Sequence, residues 1–252
     1  MPPRIYFAQT FATGQALALP PTQSRHLQVL RLQPGNTVVL FNGDDGLEWP
    51  AEITRIDRAE VELRVGVAAR VERELPIAVT LALGIPANER MDALVEKATE
   101  LGVAAIQPLV SERSVVRLAG DRAETRRRHW SAVATSASEQ CGRVRVPRIA
   151  APMKLDAWLR CLDAAGTPRE HGPRRLLLSF DAGAVSPSAL ALDASALVVL
   201  SGPEGGLAAG EESAAAAARF VPVSLGPRVL RADTAPLALL AWLGLAMPSA
   251  QR

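Results

Sequence analysis

The sequence predicts an α/β protein in which a parallel sheet covered by helices follows a smaller, β-rich domain. Beyond residue 76, short apolar runs alternate with helical patterns, which is typical of parallel strands joined by crossover helices. Before residue 70, short β-type segments alternate with turn signals. The chain has 252 residues, 48% of them hydrophobic, so it has ample material for packed cores.

The first 70 residues are predicted to form a small β-barrel. Its strands are expected at residues 4–7, 37–41, 48–56 and 60–67, with turns at 34–35 and 42–46. Between the first two strands, residues 24–31 are expected to form a short helix with Leu27 and Leu30 on one side. Residues 68–76 carry mixed charge and end in proline, which indicates a linker. We therefore expect two domains, at residues 1–72 and 73–252.

The second domain is predicted to alternate strands with helices. A strand at 77–83 precedes a helix at 88–101 that ends at Gly102, and the inner face of this helix is formed by Met91, Leu94, Val95 and Ala98. Further strands are expected at 104–110, 146–150, 176–180, 196–200 and 220–225. Further helices are expected at 123–141 and from about residue 154 onward.

Two glycine turns near the C-terminus each follow a predicted strand, at residues 201–206 (SGPEGG) and 225–235 (LGPRVLRADTA). Because ligands bind at the carboxyl ends of parallel strands, two such turns at adjacent strand ends are expected to face one pocket. Glycine also lets main-chain groups approach a ligand closely. After the second turn, Asp233 or Thr234 is expected to cap a closing helix. Taken singly, each turn is more typical of an ordinary strand-to-helix loop than of a binding site.

Basic charge is concentrated in one segment. The net charge is only +2 and lysine occurs only at Lys97 and Lys154, but residues 111–148 hold nine arginines against four acidic residues. Arginine suits phosphate recognition because its planar fork presents several donors. This segment is therefore a candidate RNA-binding face, although any single arginine in it is also consistent with a solvated helix surface.

Several other classes of protein are not favoured. The sequence has no apolar run long enough to span a membrane and no apolar signal region at its start, so a cytoplasmic location is expected. Cys141 and Cys161 lie outside any Cys-x-x-Cys spacing, and His26, His129 and His171 are isolated, so no metal site is expected. A phosphate-binding loop with lysine and a Gly-x-Ser-x-Gly turn are also absent from the sequence.

The two glycine turns together resemble the signature of the SPOUT methyltransferases, and within them the family that methylates N3 of a uridine in 16S ribosomal RNA. Residues 96–103 and 138–143 are similar to other motifs of that family, and residues 26–31 (HLQVLR) to an element of its PUA-like RNA-binding domain. The resemblance implies a C-terminal trefoil knot that binds S-adenosylmethionine, and a homodimer with its active sites at the shared interface. One departure is Ala232-Asp233-Thr234, where the family more often has Thr-Glu-Thr.

The resemblance also implies which residues form the site. The cofactor pocket is expected to be built mainly by backbone, at Leu200, Gly202, Pro203, Glu204, Gly205, Gly206, Leu225, Gly226, Leu230 and Arg231. Uracil N3 carries a proton at neutral pH, so the reaction needs a base and a positive neighbour. Arg231 is the first candidate for stabilising the negative charge, and Arg143, which the partner subunit could contribute, is the second. The base is left open among the carboxylates of Glu204, Asp233 and Glu139.

Contacts to RNA are expected from Arg4, His26, Arg31, Glu139, Gln140 and Arg143. A lone histidine near a barrel is more often structural than a contact to RNA, so the arginines are the stronger candidates. The helix at 236–246 is apolar nearly all round, which fits a dimer interface and equally fits burial within one monomer. An alternative function is that of a non-catalytic RNA-binding or ribosome-assembly protein, but this leaves the two glycine turns unexplained.

Overall fold

The computed structural model describes residues 2–57, 60–86, 90–116, 118–164, 172–190 and 195–247. The chain packs as two compact units. The first unit comprises Met1–Glu74 together with Ser138–Val146, and the second comprises Leu75–Ala137 together with Pro147–Arg252. The segment Ser138–Val146, which the sequence places within the second domain, therefore packs with the first unit.

The first unit is built on a mixed six-stranded sheet with one helix. Its elements are β1 (Arg4–Tyr6), β2 (Ala16–Leu19), α1 (Pro21–Val29), β3 (Thr37–Phe41), β4 (Leu47–Ile56), β5 (Val61–Val65) and β6 (Ala69–Arg70). The strand order is β1-β3-β4-β5-β2, and β6 pairs with β4. Only the β1–β3 pair is parallel. Alternating side chains of these strands form one apolar core under the sheet.

Three features of this unit differ from the sequence-based prediction. Strand β2 was not predicted, because its residues show no alternation strong enough to separate them from a loop. Strand β6 lies inside the predicted linker and pairs with the first two residues of β4. In α1, Leu27 is fully buried as predicted, but Leu30 is 44% exposed because the helix ends at Val29.

The second unit is a parallel sheet with helices. Its elements are β7 (Ala78–Gly84), α2 (Arg90–Glu100), β8 (Ala105–Val110), α3 (Gly120–Cys141), β9 (Arg148–Ile149), β10 (Met153–Lys154), α4 (Leu155–Ala164), β11 (Arg174–Leu178), β12 (Ala196–Ser201), α5 (Ala209–Ala217), β13 (Val221–Val223) and α6 (Thr234–Ala246). A short 3₁₀ turn lies at Pro187–Ala189. The strand order is β10-β8-β7-β12-β11-β13, with β9 on β8, and all these pairs are parallel.

The sheet order corrects one prediction about the glycine turns. Strand β11 lies between β12 and β13, so the two glycine turns do not follow adjacent strands. The chain order alone could not reveal this, because crossover connections allow a later strand to pair outside an earlier one. The predicted inner face of α2 is confirmed, since Met91, Leu94, Val95 and Ala98 are all buried. Gly102 follows α2 with φ at 92°, the left-handed conformation of a helix-ending glycine.

Helix α6 begins where the sequence predicts, but not for the predicted reason. Asp233 precedes it in a helical conformation and its side chain makes no capping hydrogen bond. The backbone N–H groups of Thr234 and Ala235 instead donate to the carbonyl oxygen of Arg231, at 3.0 Å each. One face of α6 is buried, whereas Leu245 on its last turn is 89% exposed. Within the described ranges, no helix is both long and apolar enough to cross a membrane.

Candidate functional site

A pocket of about 490 Å³ opens at the carboxyl ends of β11, β12 and β13 in the second unit. This is the position at which open parallel sheets bind ligands. Its walls come from three loops and from the start of α2. They are formed by Arg90, Leu177, Leu178, Ser179, Phe180, Asp181, Ser201, Gly202, Pro203, Glu204, Gly206, Leu207, Glu212, Val223, Leu225, Arg228, Val229, Leu230, Arg231, Ala232 and Ala235.

The loop after β12 requires glycine for two separate reasons. A Cβ atom on Gly202 would lie 3.0 Å from the backbone carbon of Gly206, so the loop folds back on itself too closely for a side chain. Gly206 has φ at 69°, and its N–H group donates to the carbonyl oxygen of Pro203 at 2.8 Å. Pro203 is in turn packed against β7, where a Cβ atom on Gly84 would lie 2.5 Å from it.

Three residues predicted for the cofactor site do not line the pocket. Leu200 is fully buried within β12. The carbonyl oxygen of Gly205 accepts a hydrogen bond of 3.0 Å from Nη1 of Arg113, and a Cβ atom there would meet the Arg113 side chain. Gly226 turns the chain with φ at 106° but is not part of the wall. The pattern of a glycine turn identifies a loop, but it does not indicate which side of each residue faces a ligand.

The loop after β13 supplies the opposite wall. Leu225, Leu230 and Arg231 line the pocket, as the sequence predicts. Arg228 and Val229 line it as well and were not predicted. Val229 is 83% exposed, so this loop presents apolar and basic groups together at the pocket mouth. Asp233 is not on the wall, and its Oδ1 atom lies 3.4 Å from the Thr234 hydroxyl.

The loop after β11 is the part of the site that sequence reasoning missed. Leu178, Ser179, Phe180 and Asp181 all line the pocket, and the loop is held by a hydrogen bond of 2.6 Å from the Gly183 N–H group to Asp181. A strand was predicted at residues 176–180, so the rule that ligands bind at strand ends could have nominated this loop. No glycine turn directly follows this strand, so the sequence pattern that marks the other two loops is missing here.

The pocket combines apolar walls with charges of both signs. Glu204 forms an ion pair with Arg90 at 3.4 Å, and Asp181, Glu212, Arg228 and Arg231 complete the charged set. A ligand with an apolar ring at one end and a zwitterionic amino-acid group at the other matches such a lining. Glu204 is the one predicted base of the three that lies on the wall. Among the described residues, no group of His, Cys, Asp and Glu side chains is suited to hold a metal ion.

Arg4 and Arg143, both predicted to contact RNA, lie in buried ion pairs of the first unit. Arg4 is 8% exposed and is paired with Glu48, and its Nη2 atom donates to the Arg143 carbonyl oxygen at 2.9 Å. Arg143 is 4% exposed and is paired with Glu74. A guanidinium group that is buried against a carboxylate is not available to a phosphate. The structure therefore gives both arginines a role in packing within the first unit.

Glu139 is also engaged within the first unit. Its carboxylate accepts a hydrogen bond of 2.9 Å from the backbone N–H group of Tyr6, and burial raises its pKa despite that bond. By contrast, His26, Arg31 and Gln140 are exposed. Of the six residues predicted to contact RNA, these three are the ones that remain accessible in the first unit.

Comparison with known proteins identifies the family. A model of the RNA methyltransferase domain matches residues 73–244, and a model of the RNA methyltransferase PUA domain matches residues 19–66. The ribosomal RNA small subunit methyltransferase E of Synechocystis is 34% identical over 239 residues, covering 92% of this chain and 74% of that protein. The chain belongs to the ribosomal RNA small subunit methyltransferase E family. The predicted family is thereby confirmed.

Two solved structures are similar over nearly the whole chain. One is the ribosomal RNA small subunit methyltransferase E of Neisseria gonorrhoeae bound to S-adenosylmethionine, with 35% identity, a TM-score of 0.88 and coverage of 98% of each chain. The other is a Legionella pneumophila protein in complex with the same cofactor, with 33% identity, a TM-score of 0.88 and the same coverage. These likenesses confirm the predicted fold class of a PUA-like first domain and an α/β methyltransferase domain. The trefoil knot remains a prediction.

Proposed function

We propose that this protein transfers the methyl group of S-adenosylmethionine to N3 of a uridine in 16S ribosomal RNA. The observation that carries the proposal is the pocket at the ends of β11, β12 and β13. The two glycine loops and the mixed charges of this pocket fit the cofactor. The family of the protein includes a member whose structure was solved with the cofactor bound. A protein that only bound RNA would have no use for a deep pocket of this kind.

The loops after β12 and β13 would hold the cofactor between them. The cofactor supplies an electrophilic methyl group on a sulfonium centre. Leu207, Leu225 and Leu230 would provide apolar contact for its adenine ring, and the glycines at 202 and 206 would let the backbone approach it closely. The charged groups on the wall match the carboxylate and ammonium of its amino-acid end.

Arg231 and Glu204 are the residues that we propose for the chemistry of uracil N3. Arg231 lines the pocket, and its guanidinium group is suited to stabilise the negative charge that develops on the uracil oxygens when N3 loses its proton. Glu204 is our candidate for accepting that proton, because Asp233 and Glu139 do not line the pocket. Orientation of N3 toward the methyl group contributes several kcal/mol more, on the order of what well-oriented intramolecular reactions show.

The exposed basic residues are proposed to bind the RNA backbone. In the first unit these are His26 and Arg31, and on α3 they include Arg122 and Arg128. Neutralising phosphates releases counterions, so the affinity should fall steeply with salt. The small ribosomal subunit is the proposed substrate particle, which implies that the protein acts in the cytoplasm.

A homodimer is also proposed, in which α6 contributes to the contact. The helix has no charged residue, and its side away from the core presents half-buried Leu237, Ala238 and Trp242 followed by exposed Leu245. An apolar face of this kind is typical of a surface that is covered by a partner. Threading of the C-terminal loops into a trefoil knot belongs to the same proposal.

The proposal can be tested in cells of the source organism that lack this protein. Mass-spectrometric mapping of their 16S ribosomal RNA should show one uridine without its N3 methyl group. Expression of the wild-type chain should restore the modification, and expression of Arg231→Ala should not restore it. A complete set of methylated uridines in the deletion strain would overturn the proposal.

A further inference from the structure

A second cavity, of about 540 Å³, lies in the same unit at the end of β7. It shares no lining residue with the cofactor pocket, and its walls are formed by Ile85, Pro86, Met91, Asp92, Val116, Leu118, Arg126 and Trp130. The second cavity and the cofactor pocket are lined by residues that are adjacent in the sequence. Arg90 lines the cofactor pocket, and the next two residues of α2 line the second cavity. On β7, Gly84 packs against Pro203 of the cofactor loop, and the next two residues line the cavity.

Asp92 is held in a fixed orientation on the wall of this cavity. The indole N–H group of Trp130 donates to its Oδ1 atom at 3.1 Å, and Nε2 of His129 lies 2.6 Å from its Oδ2 atom. Trp130 is 3% exposed, so the carboxylate is anchored from the protein interior. Two carboxylate oxygens offer about four acceptor sites. Asp92 can therefore accept a further hydrogen bond from a ligand without losing these two.

Apolar side chains surround the carboxylate. Ile85 and Met91 are buried and form the floor, while Val116 and Leu118 are half-buried at the sides. Apolar walls of this kind can contact the two faces of a flat ring. The Asp92 carboxylate among them can accept a hydrogen bond from the edge of that ring.

Arg126 stands at the exposed side of the cavity. Within the described part of the chain, no ion pair is formed by Arg126, whereas its neighbours Arg127 and Arg128 share the carboxylate of Glu124. Arg122, one turn earlier on α3, is also exposed. The cavity thus opens beside positive charge, which attracts the phosphates of a nucleic acid rather than an apolar partner.

We propose that this cavity binds the base of one uridine nucleotide of the substrate RNA. Asp92 accepts the N3–H group of uracil, and Arg126 donates to the adjacent carbonyl oxygen. Cytosine is disfavoured because its N3 atom is an acceptor that would face the carboxylate. A uracil methylated at N3 is disfavoured too, because it has no proton to donate. The inference rests on the proposed function, since it takes RNA as the substrate.

Nuclear magnetic resonance provides a direct test with the full-length protein and uridine 5′-monophosphate. The chain has four tryptophans, and a Trp130→Phe variant assigns the indole signal of Trp130. Because this indole donates to Asp92, its signal should shift when uridine monophosphate is added at millimolar concentration. Cytidine monophosphate and 3-methyluridine monophosphate should shift it only at concentrations at least tenfold higher. An unmoved signal, or equal responses to the three nucleotides, would overturn the proposal.

Two variants separate loss of the site from loss of the fold. Asp92→Asn keeps an acceptor for Trp130 and should abolish the preference for uridine over cytidine monophosphate. Val116→Trp fills the cavity and leaves Asp92 in place, and at saturating cofactor it should raise KM for small ribosomal subunits at least tenfold. Cofactor affinity should be unchanged in both variants. Arg160→Ala, which removes an exposed arginine of α4 paired with Asp156, is the control and should change neither quantity.

The proposal fails if Val116→Trp leaves both nucleotide binding and KM at wild-type values. Its failure is distinguishable from a failure of the proposed function. Nucleotide-dependent shifts of the Trp130 signal without methyl transfer by the wild type would contradict the function and support the site. Methyl transfer by the wild type that Asp92→Asn and Val116→Trp do not alter would support the function and contradict the site.

Discussion

Gly206 stands where the loop after β12 meets the cofactor pocket, and it is the glycine at which a side chain should harm binding most. Its φ of 69° is costly for a β-branched residue, and a Cβ atom there would enter open space that belongs to the pocket. Gly206→Val should therefore lower the affinity for S-adenosylmethionine about a hundredfold, as measured by calorimetry.

The control for this prediction is Gly210→Val. Gly210 lies on α5, where an added Cβ atom meets nothing within 4 Å and the backbone angle is ordinary. The same side chain should leave cofactor affinity unchanged there. Equal affinities in the Gly206 variant and the wild type would show that the loop does not hold the cofactor. Gly205, which the sequence also predicts to be part of the cofactor site, packs against Arg113 instead.

Glu139 should make the stability of the protein depend on pH. Burial raises the pKa of this carboxyl group in the folded state, and the Tyr6 N–H bond only partly opposes the effect. A raised pKa means that its contribution to stability is present at low pH and is lost as pH rises through the folded pKa. Glu139→Gln keeps an acceptor for Tyr6 and cannot ionise. Its stability relative to the wild type should therefore increase as pH rises above about 4, the ordinary pKa of a glutamate side chain.

Denaturant unfolding of the two proteins across this range measures the difference directly. A difference that stays constant with pH, or that shrinks as pH rises, would contradict the structural role that we give to Glu139. A constant difference would mean that folding leaves the pKa of this carboxyl group unchanged, and a shrinking difference would mean that the folded state favours its ionised form.

At the scale of elements, α1 is the place where binding of RNA can be tested without disturbing the fold. Arg31 follows this helix with φ at 56°, a conformation that favours glycine, and its side chain is exposed. Arg31→Gly should therefore keep or slightly raise stability. It should weaken RNA binding, and each lost phosphate contact should flatten the log–log dependence of affinity on salt by roughly one unit.

Arg55→Ala is the comparison for this experiment. Arg55 is an exposed arginine of the same unit, but it is paired with Asp57 and Glu62. Its loss should leave the salt dependence unchanged. If Arg31→Gly and Arg55→Ala both bind RNA with the affinity and salt dependence of the wild type, α1 does not anchor the RNA.

The strands and helices differ in how well the sequence alone predicts them. Strands β7 and β12 were predictable because buried parallel strands are nearly continuous apolar runs, and α2 was predictable from its spacing of apolar residues. Short β2 and β6 exist because neighbouring strands offer partners, which is information that their own residues do not carry.

The candidate site also contains parts that the sequence predicts and parts that it does not. Its two glycine loops could be found because backbone conformation dictates residue type there. The loop after β11 was missed because no glycine turn directly follows that strand, and only the strand order shows that it lies between the other two loops. The buried pairs of Arg4 with Glu48 and Arg143 with Glu74 were also missed. A sequence shows that an arginine is present, but only the fold shows whether a carboxylate lies beside it.

For the molecule as a whole, the proposed homodimer leads to a prediction about α6. Leu245 is an apolar residue at the end of this apolar helix, yet it is 89% exposed. Light scattering at micromolar concentration should give twice the mass of one chain for the wild type. Leu245→Glu should shift the mass toward that of one chain, because burying an unpaired carboxylate at an interface is costly.

Val29→Glu is the matched substitution. Val29 is 75% exposed on α1 of the first unit, so it tests whether any new surface carboxylate disturbs the assembly. Its mass should equal that of the wild type. A wild-type mass of one chain would refute the dimer and the part that α6 is proposed to play in it.

The central claim is that this member of the methyltransferase E family methylates uracil N3 in 16S ribosomal RNA. Its most direct test incubates the purified protein with S-adenosylmethionine labelled in the methyl group and small ribosomal subunits from a strain that lacks the modification. The RNA is then digested to nucleosides and the label is located by chromatography. We expect the label in 3-methyluridine. Label in any other nucleoside, or no label while calorimetry shows the cofactor bound, would contradict it.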